Sequence, residues 1–234
     1  MSTSKKALIV VTSHGVLGST GKPTGYYLPE VSHPYQALSA RGIAVDFASI
    51  RGGNAPVDPS SLNMSDPANQ RLWQTPETRA QLEATRALAD VDPSQYQAIF
   101  FAGGHGTMWD FRGDPQVQRL AASIYEAGGV VAAVCHGPAA LVDIQLADGS
   151  YLVAGKQVAA FSNAEEAAAG LTAVVPFLLE TELTARGAQY SKAPLWQKHV
   201  VVDQRLVTGQ NPASASGVGE AMGALLAGKA SLRQ

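Results

Sequence analysis

The chain has 234 residues, 46% hydrophobic and 15% charged, with 17 basic against 19 acidic side chains. That length buries roughly 70% of the unfolded surface, so no disulfide or metal staple is required, and a single cysteine fits a reducing compartment. A net charge of −2 without any charge run leaves no basic footprint, so neither nucleic acid nor membrane is expected as a partner.

Met1-Ser-Thr-Ser-Lys-Lys leads directly into an apolar run at 7–11, too short for a secretion signal or a membrane span. It reads as a first buried strand of a cytoplasmic protein. A helix is expected over 33–40 and a second strand over 43–48. Residues 51–74, rich in Gly, Pro, Ser and Asn, read as an irregular excursion and a candidate lid. A helix over 76–89, a strand over 98–102, a helix over 115–127 closed by Gly128-Gly129, and a strand over 130–134 follow. Segments at 152–160, 174–185 and 200–206 come next, then a final helix starting near Pro212. Strands alternating with helices imply an α/β fold with a mainly parallel sheet and right-handed crossovers. No repeat or linker divides the chain, so one domain over 1–234 is expected.

The most informative segment runs from the apolar strand into Cys135-His136-Gly137-Pro138. A cysteine at a strand-to-helix turn stands at the carboxyl edge of the sheet, where open α/β folds bind ligands. A helix N-terminus beyond it favours thiolate over thiol. Serine hydrolases place their nucleophile on the same kind of strained elbow, and His136 is available to move protons. The competing reading is a buried small hydrophobe; an apolar strand ending in Cys-His-Gly-Pro favours the reactive thiol. The strand over 98–102 leads into Gly103-Gly104-His105-Gly106, whose backbone N–H groups suit an oxyanion hole, or form a purely structural turn. It lacks the Gly-Lys-Ser/Thr ending of a phosphate loop. Trp109 and Trp196 read as pocket walls or core. His14, His33 and His199 read as structural, with no metal-ligand spacing.

These residues carry a family resemblance. Thr12-Ser13, Gly25-Tyr-Tyr-Leu-Pro-Glu30 with His33-Pro34, Val45-Asp-Phe-Ala-Ser49, Gly104-His-Gly-Thr107, residues 130–138, Phe161-Ser-Asn-Ala-Glu-Glu166 and Leu206-Val-Thr-Gly-Gln-Asn-Pro-Ala-Ser214 follow one another in order. The chain resembles the ThiJ/PfpI superfamily, related to class I glutamine amidotransferases, and within it the branch of glutathione-independent glyoxalases (glyoxalase III, D-lactate dehydratase) and heat-shock chaperones. The resemblance covers nearly the whole chain. It implies a flavodoxin-like three-layer sandwich, a homodimer, and a triad of Cys135, His136 and Glu166, with Glu165 the adjacent alternative. It also implies a second acid, Glu30, sharing a proton with the thiol. Read without the resemblance, Glu30 is equally a solvated residue before a helix, and Glu165 and Glu166 are acids at a helix N-terminus.

The implied reaction converts a 2-oxoaldehyde such as methylglyoxal to D-lactate by sulfur addition and an internal proton shift. The N–H groups of Gly104 and His136 would hold the substrate oxygen, and His105 either positions the substrate or bonds the loop backbone, with no metal, redox cofactor or glutathione. A cysteine hydrolase and a holdase chaperone with Cys135 as an oxidation target are the alternatives. A class I glutaminase would require a C-terminal His-x-Glu pair, whereas His199 is followed by Val200-Val201.

Overall fold

A computed structural model describes residues 5–228 of the chain; both ends of the expected 1–234 unit lie outside the described residues. The elements, in order, are β1 (Lys6–Val11), α1 (Pro29–Ser39), β2 (Ala44–Ser49), α2 (Pro67–Gln74), α3 (Pro76–Glu83), β3 (Arg86–Ala87), β4 (Ala98–Phe101), α4 (Thr107–Asp110) and α5 (Pro115–Glu126). They continue with β5 (Val130–Val134), β6 (Gln157–Val158), α6 (Asn163–Ala168), α7 (Leu179–Ala185), β7 (Gln189–Tyr190), β8 (Val200–Asp203), β9 (Leu206–Gly209) and α8 (Ala215–Gly228).

Seven strands form one sheet in the order β3-β2-β1-β4-β5-β9-β8, parallel except for the β8–β9 pair. Alternation along each strand divides the apolar side chains between two faces. Leu8, Val10, Ile99, Phe101, Val131 and Ala133 pack with α5 and α7 on one side. Ala7, Ile9, Val11, Phe100, Ala132 and Val134 pack with α1, α2, α3 and α8 on the other. The result is the flavodoxin-like three-layer sandwich, and the carboxyl ends of β1, β4 and β5 open toward one edge.

Local chemistry sets the element ends, and it moves several of the expected ones. Pro29 starts α1 four residues before the expected 33–40, which brings Glu30 into its first turn. The excursion at 51–74 is irregular only in its first part: the Asp66 carboxylate accepts from the Ala68 and Asn69 N–H groups, Pro67 takes the first helical position, and 67–74 form α2. The helix expected over 76–89 stops at Glu83 because Arg86 and Ala87 pair with Ala48 and Ser49 as an edge strand. Asp114 caps α5, as the Asp-Pro sequence directs. The segment at 200–206 begins a hairpin of two antiparallel strands, so that edge of the sheet is not parallel. Of 152–160 and 174–185, only β6 and α7 are regular. The helix expected after the cysteine is a short 3₁₀ turn, Gly137–Leu141. Among the described residues, no helix is long and apolar enough to cross a membrane.

Candidate active site

Cys135 ends β5 at φ 59°, one of three non-glycine residues in the described chain with a left-handed backbone. For a residue with a Cβ this conformation is costly, of order 1 kcal/mol or more, and it persists only where the surroundings over-determine it. They do so here. The Cys135 N–H donates to the Gly209 carbonyl at 2.9 Å and its carbonyl accepts from the Phe161 N–H at 2.8 Å, so neighbouring segments clamp the elbow on both sides.

The kink directs the sulfur toward His136, with Sγ 3.4 Å from Nδ1. His136 Nε2 lies 2.7 Å from Glu166 Oε2, and the other oxygen of Glu166 lies 2.9 Å from His105 Nε2. Both imidazoles thus share one carboxylate, with their rings 4.1 Å apart. The Phe161 ring lies tilted against His136 at 4.2 Å and edge-on to His105 at 6.0 Å, and the half-exposed ring of Trp196 lies 5.7 Å from Phe161.

The two candidate acids carry opposite protonation. Glu166 is buried, which alone would raise its pKa, but the hydrogen bonds from His105 and His136 outweigh burial and hold it down at about 2. An ionised carboxylate only accepts, so both Nε2 atoms donate and His136 Nδ1 is left as the acceptor facing the thiol. Burial, with the charge of His105, holds the His136 ring at about 4 against the pull of Glu166, so the resting imidazole is neutral.

Glu30 reaches the thiol from the first turn of α1 and is wholly buried. Neither carboxyl oxygen has a hydrogen-bond partner of ordinary geometry among the described residues. Burial pushes its pKa up to about 8, although the neighbouring Cys135 thiol and Gly103 N–H pull the other way. At neutral pH Glu30 is a carboxylic acid. Burial first and then Glu30 push the Cys135 thiol well above the ordinary range. The helix N-terminus expected to favour a thiolate is only a short 3₁₀ turn, and the resting sulfur carries its proton.

The glycine loop makes this proximity possible. A Cβ on Gly103 would collide with the Glu30 carboxyl, the Val134 carbonyl and Cys135 itself, so only glycine lets the three groups converge. Gly104 has φ 103°, a conformation glycine alone adopts freely, and it packs against Gly25 and Tyr27 of the loop leading to α1. The N–H groups of Gly104 and His136 donate to no protein backbone acceptor among the described residues.

The structure therefore brings Cys135, His136, Glu166, Glu30, Gly104 and His105 to one place. Glu165 has a different job. Its carboxylate accepts from the Ser162 N–H and hydroxyl, the Trp196 N–H and the Asn211 amide. This is a capping box on α6 that also ties down the Trp196 loop. Ser162-Asn-Ala-Glu165 is a capping-box pattern in the sequence, and that signal separates the two adjacent acids. Phe161 is the site residue that sequence reasoning passed over, and Gly103, read there only as part of the oxyanion loop, proves to be where the thiol and Glu30 converge. His14 stacks on Trp109, His33 pairs with Asp66 and His199 bonds Ser191, all apart from the cysteine. The expectation of no metal-ligand set rested on spacing along the chain. Folding brings ligand atoms of His105, His136 and Glu166 within 4.8 Å of one another, from positions far apart in sequence.

Residues 24–222 match the DJ-1/PfpI family. The glutathione-independent glyoxalase HSP31 of Saccharomyces cerevisiae is 34% identical over 90% of this chain and 93% of its own. Among solved structures, the Rapid Encystment Protein 24 KDa of Francisella tularensis superposes with a TM-score of 0.92 at 40% identity, covering 95% of this chain and 99% of the other. Glyoxalase III of Candida albicans superposes with a TM-score of 0.88 at 29% identity, covering 94% and 97%.

Proposed function

The chain belongs to the DJ-1/PfpI family, and from that premise we propose that it is a cysteine-dependent, glutathione-independent glyoxalase converting 2-oxoaldehydes such as methylglyoxal to 2-hydroxy acids, D-lactate in that case. The observation that carries this reading is the continuous chain from Sγ of Cys135 through both nitrogens of His136 to Glu166, with a protonated acid, Glu30, held against the same sulfur.

The sulfur adds to the aldehyde carbon while its proton passes to His136 Nδ1, and Glu166 stabilises the imidazolium that forms. The N–H groups of Gly104 and His136, the latter directed at the Cys135 sulfur in the resting site, receive the developing alkoxide. Return of the proton to that oxygen gives a hemithioacetal and restores neutral His136. The imidazole then removes the hydrogen from the former aldehyde carbon and passes a proton to the oxygen of the adjacent carbon, giving an enediol. That adjacent carbon is protonated with Glu30 within reach as donor, and the hydroxyl proton of the first carbon returns to the Glu30 carboxylate. Carbon one has lost two electrons and carbon two has gained them, so the conversion is internal and balanced. The product is a thioester on Cys135. Water cleaves it, releasing the 2-hydroxy acid and restoring the thiol. His105 holds the second oxygen of Glu166 and keeps 19% of its side-chain surface open.

Homodimerisation, a cytoplasmic location, a single domain and the absence of nucleic-acid or membrane partners belong to the same reading. They are supported by the family resemblance, the balanced charge and the lone cysteine. The test is D-lactate formation from methylglyoxal by purified protein without glutathione, lost in Cys135→Ser. Release of amine from peptides or glutamine without D-lactate would instead assign a hydrolase.

A further inference from the structure

We propose that His105, His136 and Glu166 form an inhibitory site for a borderline divalent transition-metal ion, zinc in the first instance, and that the metal-bound and catalytic arrangements exclude one another. The three residues come from the β4–α4 loop, the elbow after β5 and the first turn of α6. Their ligand atoms nevertheless converge within 4.8 Å on two imidazole nitrogens and one carboxylate. Two histidines, a carboxylate and a solvent molecule in the fourth position make a ligand set that zinc takes up readily, whereas calcium and magnesium prefer all-oxygen cages.

Tetrahedral zinc with bonds of about 2.0–2.1 Å holds its ligand atoms about 3.3 Å apart. The two nitrogens stand 2.9 and 2.7 Å from different oxygens of Glu166, and the ligand atoms lie within 4.8 Å of one another. A single ion therefore requires the nitrogen–oxygen contacts to open by about half an ångström and both imidazoles to turn toward it. His105 keeps 19% of its side-chain surface open, which provides the access route, while His136 and Glu166 are closed off behind it.

The functional consequence follows from the two edges of the His136 ring. A metal on Nε2 obliges the proton there to move, through exchange with solvent, to Nδ1. That atom is the one 3.4 Å from the Cys135 sulfur. A protonated Nδ1 has no lone pair for the thiol's proton, and Glu166, now bonded to the metal, no longer supports an imidazolium. The same geometry keeps sulfur out of the metal's coordination sphere, because Nδ1 and Nε2 point to opposite sides of the ring. Cysteine ligation, the first guess for a metal effect on a thiol enzyme, is therefore excluded from this site.

Titration of metal-free protein with zinc sulfate, followed calorimetrically, should give one ion per chain. Cys135→Ala should bind within about threefold of the parent protein. His105→Ala and Glu166→Gln should each weaken binding by more than about tenfold. Far-ultraviolet circular dichroism of each variant establishes that the fold is retained, and a His105→Gln variant repeats the test with a bulkier polar side chain. Cobalt substituted for zinc should show no sulfur-to-cobalt charge-transfer band. Loss of binding in Cys135→Ala, unaltered binding in both His105 variants, or the absence of any one-to-one zinc site would overturn the proposal. None of these readouts depends on turnover, so they stand apart from the test of the glyoxalase reading.

Discussion

Two carboxyl groups flank the Cys135–His136 pair, and they have been driven in opposite directions by what surrounds them. Glu166 has a histidine on each oxygen and remains ionised down to about pH 2. Glu30 is buried just as deeply, lacks a well-formed hydrogen bond on either oxygen, and keeps its proton up to about pH 8. Burial penalises both charges; hydrogen bonds and charge from two imidazoles offset it at Glu166, and only the weak pull of the Cys135 thiol and the Gly103 N–H opposes it at Glu30. One side of the site is thus a fixed negative charge that orients an imidazole, and the other is a neutral acid able to give a proton.

That contrast can be broken at several points. The largest effect is expected at the nucleophile itself: Cys135→Ser should lower kcat for D-lactate formation by at least roughly 10⁴-fold, measured with methylglyoxal at saturation. Next comes Glu166→Gln. An amide cannot accept from both imidazoles with its nitrogen end, so His136 loses its orientation and its support as an imidazolium. A fall of about 10²–10⁴ in kcat is expected, with KM changed far less.

Glu30→Gln tests the other side. The amide keeps the neutral charge and nearly the shape of the carboxylic acid but has no proton to transfer. A loss of about 10²-fold in kcat is expected, with the thiol still alkylated by small electrophiles.

The smallest effects are on stability, and their signs differ for the two acids. Glu30 has a folded pKa of about 8 against an ordinary value of 4.5. Between those values the folded chain holds a proton that the unfolded chain releases, so stability falls as pH rises from about 4.5 to 8 and levels off above. Glu166 and His136 act in the opposite sense. Both are held below their ordinary values of 4.5 and 6.5, so their contribution is complete above about pH 6.5 and is lost as pH falls toward 2. Urea midpoints between pH 4 and 9 should therefore show a decline on the alkaline side that disappears in Glu30→Gln, while the decline on the acid side remains. An alkaline decline that persists unchanged in the variant would assign it to other groups.

The same contrast shows what was legible in the sequence. The apolar runs, the Cys-His-Gly-Pro turn and the glycine loop are local patterns, and they locate the strands, the elbow and the approach of β4 to β5. Asp114-Pro115 and Ser162-x-x-Glu165 are capping signals equally local in origin. Protonation states are not local. That Glu30 is a neutral acid follows from the packing of α1 against the sheet and from the lack of a well-formed hydrogen bond to its carboxyl, neither of which leaves a trace in Leu-Pro-Glu-Val. The shared bond of His105 and His136 to Glu166 joins residues 61 and 30 positions away from the acid, and no spacing rule reaches that far. Helix α2 at the end of the irregular excursion and the antiparallel edge at β8 were obscured for a related reason: capping and pairing partners, rather than intrinsic preference, decide them.

The central claim is that Glu30 is a protonated carboxylic acid beside the thiol at neutral pH. Infrared difference spectroscopy of the parent protein against Glu30→Gln tests it directly. At pH 7 the parent should show the carbonyl stretch of a buried protonated carboxyl group, absent from the variant and fading as the pH is raised through about 8. A spectrum at pH 7 in which the Glu30-dependent bands are those of a carboxylate would contradict it.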